Sequence, residues 1–107
     1  MGRLRLSTRT LRRVLPLLAL AALASGCGPV LYTASVHSAE RKLKQARDEN
    51  ARWYAPYEYY FAEAHLRQAQ HDAAAAAYED ALQYAKICED FSTRALEITR
   101  RKRLSER

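Results

Sequence analysis

The chain has 107 residues, 49% of them hydrophobic, and its 18 basic and 12 acidic side chains give a net charge of +6. This length allows one small domain. The positive charge is concentrated at one end, because residues 1–26 contain five arginines and no acidic residue, whereas the remaining 81 residues hold 13 basic and 12 acidic side chains. The net charge therefore does not indicate nucleic-acid binding, and we expect none.

The N-terminus has the pattern of a bacterial export signal. Arginine-rich residues 1–13 precede the apolar run Val14–Ala24, which is followed by small residues and a cysteine in the stretch LASGC. The run is too short to span a bilayer, since a membrane-spanning helix needs ~20 apolar residues. The stretch resembles a lipobox, at which prolipoprotein signal peptidase cuts before a diacylated cysteine. We therefore expect residues 1–26 to be a lipoprotein signal peptide, with cleavage after Gly26 and lipidation of Cys27.

Acyl chains on Cys27 predict a stable membrane anchor, because two or more chains hold a protein on a bilayer. Residues 27–29 would form a short lipidated tether. Gly28 rather than aspartate follows the cysteine, and by resemblance to the Gram-negative sorting rule this favours the periplasmic face of the outer membrane over the inner membrane. The alternative is an ordinary secretory signal that is cut near Gly26 and leaves Cys27 unmodified.

The rest of the chain predicts an all-α fold, an antiparallel three-helix bundle over residues 30–103. Sixteen of these last 81 residues are alanine, no glycine follows Gly28, and no β-branched run alternates with polar residues. Leu, Ile and Val together number ten in the same part of the chain, so the core is small. Self-association is a further expectation that follows from this small core.

The first helix is predicted over about residues 30–52. Apolar residues recur there at spacings of three, four and seven, which places them on one helical face. They are Tyr32, Val36, Ala39, Leu43, Ala46 and Trp53. Asn50 occupies the skipped position of this stripe. The stretch RWYAP predicts the break, because Pro56 suits the first turn of a following helix.

The second helix is predicted over about residues 56–70, with apolar stripes on two opposite faces. One stripe consists of Tyr57, Tyr60, Phe61, Ala64 and Gln68. The other consists of Tyr59, Ala62, Leu66 and Ala69. Two stripes predict two neighbouring helices, so we expect this helix to be the middle one. The aromatic run YEYYF is thereby divided between two faces.

The third helix is predicted over about residues 72–102, with Asp72 as its N-cap and a basic tail at 104–107. Its apolar face comprises Ala77, Ala81, Tyr84, Ala85, Cys88, Phe91, Ala95 and Ile98. On this face Cys88 is expected to be a small buried thiol. Neither glycine nor proline marks the break before Asp72. A single helix from Pro56 to Lys102 is therefore the alternative, and it would leave one stripe to be covered by an oligomer.

The segment APYEYYFAEAHLRQA, followed by YEDALQYAKICEDFSTRAL, resembles domain-of-unknown-function family 4398. Its members are small helical envelope proteins of Gram-negative bacteria, often lipoproteins. The resemblance rests on Pro56–Tyr59, on the Ala-Glu-x-x-Leu pattern ending at Leu66, and on Tyr78–Ala85. The second half is also similar to a tetratricopeptide hairpin. The resemblance implies a helical hairpin in the cell envelope and supplies no catalytic residues.

The predicted function is that of a non-catalytic scaffold or interaction module, with a periplasmic or outer-membrane protein as its partner. No nucleophile–base pair, phosphate loop or metal-ligand spacing is present in the sequence, so we expect neither an enzyme nor a cofactor. The alternative is a module that binds peptidoglycan or another envelope glycan. Trp53, Tyr54 and Tyr57 are the candidate interaction surface in either case. Arg100–Arg103 is a candidate contact with phosphates at the membrane surface.

Overall fold

The structure, a computed structural model, describes residues 8–107, apart from the side chains of residues 22–27. Four helices make up this part of the chain: α1 Thr8–Asp48, α2 Ala51–Tyr54, α3 Pro56–Ala74 and α4 Tyr78–Ser105. No strand occurs among the described residues, and the predicted all-α fold is confirmed.

From Gly28 onwards α1, α3 and α4 pack as an up-down-up bundle. The rings of Tyr32 and Tyr78 lie 6.2 Å apart at one end, and Glu49 binds Arg100 at the other, so α1 and α4 run parallel. α3 returns antiparallel to both. We call the end formed by residues 28–32 and 72–80 the proximal end, and the end formed by residues 49–57 and 98–107 the distal end.

The first part of α1 does not belong to this bundle. Residues 8–21 are all exposed, including the leucines of the apolar run. Within the described residues, no helix is both long and apolar enough to cross a membrane.

The middle helix of the bundle is α4, and the expectation that the second helix lies in the middle is wrong. α4 packs extensively against both α1 and α3, which contact each other much less. Alanine, serine, cysteine and threonine form its fully buried face, and such small side chains let two helices approach closely. On α3 the stripe of Tyr59 is buried, whereas Tyr57 and Tyr60 in the other stripe are 68% and 52% exposed.

The core is built from alanines around a few larger side chains. Its buried members are Val36, Ala39, Leu43, Ala46, Ala51, Ala55, Tyr59, Ala62, Ala69, Ala81, Ala85, Cys88, Ser92, Ala95, Leu96 and Thr99. The predicted faces of the first and third helices supply eight of these sixteen residues. Tyr59 is the largest side chain that is completely buried.

The first break falls at Asn50, not after Arg52. Asn50 has φ 72°, in the left-handed region that asparagine tolerates better than most residues, and α1 therefore ends at Asp48. The short helix α2 follows, and Pro56 then begins α3 in its first turn as predicted. Trp53, expected on the apolar stripe of the first helix, is instead 77% exposed because the break at Asn50 takes it off that stripe.

The second break lies at Ala75–Ala77, a few residues later than expected. Asp72 is not an N-cap: it lies inside α3, where its side chain accepts a hydrogen bond from Gln68 (2.9 Å). The amides of Ala76 and Ala77 donate to the carbonyls of Ala73 (2.9 Å) and Asp72 (2.8 Å). This is the bonding pattern of a Schellman motif, with Ala76 at φ 60° where glycine is usual. The alternative of one continuous helix is thereby excluded.

Candidate interaction surface

The three candidate residues lie together at the distal end, but they differ in accessibility. Trp53 and Tyr57 expose most of their surface. Tyr54 is half-buried and connects the turn to the end of α4. Its hydroxyl donates to Glu106 (2.8 Å), which raises the pKa of the phenol, and its carbonyl accepts a hydrogen bond from Lys102 (2.6 Å). Trp53 and Tyr57 are thus available to a partner, whereas Tyr54 holds the distal end together.

Tyr59 explains why the aromatic run is divided. Its ring is completely buried, and its hydroxyl accepts a hydrogen bond from Arg47 Nε (2.9 Å) and donates one to Glu63 (3.2 Å). The guanidinium of Arg52 lies 5.4 Å from the ring centroid. The hydrogen bond to Tyr59 raises the pKa of Arg47. With Tyr59 fixed inward, the helical period directs its neighbours Tyr57 and Tyr60 outward.

A second set of rings lines the groove between α3 and α4. We call Tyr57, Phe61, His65, Tyr84 and Phe91 the aromatic row. Phe61 is its centre, with ring centroids 5.8 Å from Tyr57 and 4.2 Å from both His65 and Phe91. His65 continues the row to Tyr84, at 5.8 Å. The i, i+4, i+8 spacing of 57, 61 and 65 is a sequence signal for three of the five members of this row. Their contacts with the two members on α4 could not be predicted without the fold.

The aromatic row is held in place by polar contacts at its edges. His65 Nδ1 lies 2.8 Å from the carbonyl oxygen of Phe61, which fixes the orientation of the imidazole. Arg94 covers Phe91, with 4.7 Å between the guanidinium carbon and the ring centroid. A shallow cleft of about 230 Å³ opens beside the row, lined by Ala64, His65, Gln68 and Tyr84. The groove therefore offers aromatic surface with hydrogen-bonding groups beside it.

Cationic side chains surround the distal end. Arg100 binds both carboxylate oxygens of Glu49 (2.9 and 3.0 Å), and Arg103 lies 3.9 Å from the same group. The hydrogen bonds from Arg100 lower the pKa of Glu49. Arg100, Arg103, Leu104 and Arg107 line a cleft of about 260 Å³.

The predicted cleavage and lipidation sites, Gly26 and Cys27, lie outside the residues whose side chains are described. The next residue, Gly28, lies beside α4, because a methyl group in place of its hydrogen would meet Cβ of Tyr78 at 3.7 Å. Gly28 and Pro29 are part of α1.

Cys88 is buried in the core, as predicted. Burial raises the pKa of its thiol to about 11, and its Sγ lies 3.9 Å from Oγ of Ser92. A thiol in this state is a poor nucleophile at neutral pH, because the thiolate is the reactive form.

A scan against protein-family models and searches of curated proteins and of solved structures find no match for this chain.

Proposed function

We propose that this protein is a lipid-anchored lipoprotein of the bacterial envelope, at the periplasmic face of the outer membrane. In this proposal its bundle is a non-catalytic module that binds a protein partner. The proposal includes the resemblance of the chain to domain-of-unknown-function family 4398.

The open face of α3 is the observation that carries the proposal of a binding module. Tyr57 and Tyr60 are large rings on a rigid helix, yet they remain mostly exposed, and Phe61 beside them is only partly buried. Aromatic side chains are enriched in protein interfaces, because they bury much area at a low cost in conformational entropy. The sequence pattern predicts a neighbour for this stripe. α4 meets it at Phe61, which packs on Phe91, but no helix of the described chain covers Tyr57 and Tyr60.

The position of the apolar run supports the proposed location of the protein at the membrane. A cleaved signal contributes nothing to the mature fold, and residues 8–21 are exposed along their whole length. Gly28, the first residue after the proposed lipidation site, by contrast lies beside Tyr78 of α4.

Fatty-acid labelling tests the proposed lipidation of Cys27 and the location at the outer membrane. The chain is expressed in a Gram-negative host with an alkyne fatty acid, and the wild type is compared with Cys27→Ala. We expect label on the wild type, no label on the variant, and recovery of the wild type with outer membranes. Equal labelling of the Cys27→Ala variant would refute lipidation at this residue.

Site-specific photo-crosslinking tests the binding module. A benzophenone amino acid is placed at Tyr60, and a matched control position is Gln83, which is exposed on α4. We expect a discrete crosslinked species from position 60 that weakens when Tyr57→Ala is added to the same chain. Comparable crosslinking from both positions would indicate random encounters and would count against the α3 face.

A further inference from the structure

We infer that the distal end of the bundle binds an anionic glycan polymer, and we commit to the peptidoglycan layer as that polymer. The inference rests on the envelope location proposed above. It concerns a different surface from the open face of α3, and its test does not depend on lipidation.

The topology separates this surface from the lipid anchor. The part of α1 that belongs to the bundle runs from Gly28 to Asp48, which is a rise of about 30 Å at ~1.5 Å per residue. Because α4 runs parallel to α1, Arg100–Arg107 lies at the far end of that rise. This distance exceeds the Debye length of ~8–10 Å at physiological salt, so the anchoring membrane would not attract these cations. The expectation that Arg100–Arg103 contacts the surface of the anchoring membrane therefore does not suit this topology.

Charge is strongly polarised along the bundle. The distal end, residues 49–57 and 98–107, has six basic and two acidic side chains, a net charge of +4. The proximal end, residues 28–32 and 72–80, has three acidic and no basic side chains. An anionic polymer is therefore attracted to the distal end and repelled from the proximal end.

The distal end also has the shape and chemistry that a carboxylated glycan requires. Arginine binds carboxylates through paired, directional hydrogen bonds, and the cleft beside Leu104 is lined by three arginines. The two hydrogen bonds to Glu49 use Nε and one terminal nitrogen of Arg100, so a glycan carboxylate would bind its other terminal nitrogen together with Arg103 and Arg107. At the same end, Trp53 exposes 77% of its surface, and a flat ring can pack on the apolar face of a sugar. Peptidoglycan combines both features, since its sugars carry peptides that end in carboxylates.

Sedimentation with purified sacculi tests the inference. The full-length untagged protein, extracted in a nonionic detergent, is mixed with sacculi and centrifuged at low salt. The variant is Arg101→Gln/Arg107→Gln, which removes two exposed distal charges. The charge-matched control is Arg41→Gln/Lys86→Gln, whose two positions are exposed on α1 and α4 away from the distal end. We expect the bound fraction of the variant to fall at least about fivefold, with the control unchanged and binding of the wild type lost at 0.5 M NaCl.

Two further measurements identify the ligand and the binding site. Sacculi whose carboxyl groups have been amidated should retain little protein. Trp53 is the single tryptophan of the chain, so its fluorescence should change on addition of soluble peptidoglycan fragments. Equal retention of the distal variant and the wild type would overturn the inference, as would wild-type binding to vesicles of anionic lipid but not to sacculi. Loss of fatty-acid labelling without loss of sacculus binding would refute the anchor and leave this inference standing.

Discussion

The two adjacent tyrosines at positions 59 and 60 should respond very differently to truncation. Tyr59 is completely buried and makes two hydrogen bonds through its hydroxyl, whereas Tyr60 is 52% exposed. Replacing a buried aromatic residue with alanine costs about 3–5 kcal/mol, because both the apolar contacts and the packing are lost. For Tyr60→Ala we expect about 1 kcal/mol, chiefly the edge-on contact with Tyr59 at 5.2 Å.

These magnitudes are large compared with the stability of so small a bundle. At ~0.05–0.15 kcal/mol per residue, the roughly 80 residues of the bundle give about 4–12 kcal/mol in total. Tyr59→Ala should therefore remove from about a quarter to all of the stability of the bundle. Tyr59→Phe keeps the ring and loses the hydroxyl, so we expect a loss of about 1 kcal/mol and a folded protein that still reports on the site.

Urea unfolding followed by far-UV circular dichroism measures these differences, with every variant made in the same Cys27→Ala background. The expected order of unfolding midpoints is wild type, then Tyr59→Phe and Tyr60→Ala close together, then Tyr59→Ala far below. Equal midpoints for the two alanine variants would show that Tyr59 is not a core residue, and the division of the aromatic run would be wrong.

Three further predictions concern individual positions. Because the salt bridge with Arg100 lowers the pKa of Glu49, its contribution is present at neutral pH and lost as the pH falls through that lowered pKa. Glu49→Gln should therefore lower the urea midpoint at pH 7, and the gap to wild type should narrow as the pH falls; a gap that does not narrow at all in acid would contradict the assignment. At pH 8 the buried thiol of Cys88 should react with Ellman's reagent at least about tenfold more slowly in the native protein than in urea, measured in a variant lacking the other cysteine. Ala76→Gly should stabilise by about 1 kcal/mol, because Ala76 has positive φ, while Ala75→Gly at negative φ should not; the reverse order in thermal melts would exclude the Schellman turn.

Helical periodicity predicted the buried faces because it depends on spacing alone. Val36, Ala39, Leu43 and Ala46 are buried on α1 as their spacing indicated, and the alanines of α4 follow the same rule. Periodicity does not show which helix has two neighbours. α3 carries two apolar stripes but buries only the one that contains Tyr59, with Phe61 of the other meeting α4 at its edge. α4 accommodates both neighbours because its buried side chains are small.

The turn between α3 and α4 could not be placed correctly from the sequence, because its residues favour a helix. Ala75–Ala77 would favour a continuous helix in isolation, and alanine at positive φ costs free energy that glycine would not. Packing of α3 and α4 against each other offsets this cost, and the sequence of the turn alone does not predict that packing. The distal placement of Trp53 and Tyr57 could be predicted from the break near Pro56. The aromatic row could not, since Phe61 meets Phe91 only across two helices.

The central position of α4 also determines when the chain can fold. α1 and α3 contact each other little, and each buries its apolar face mainly against α4, which follows both of them in the chain. A nascent chain that ends before residue 78 therefore lacks the surface against which most of these two faces are buried. The bundle can assemble only after the ribosome has completed α4.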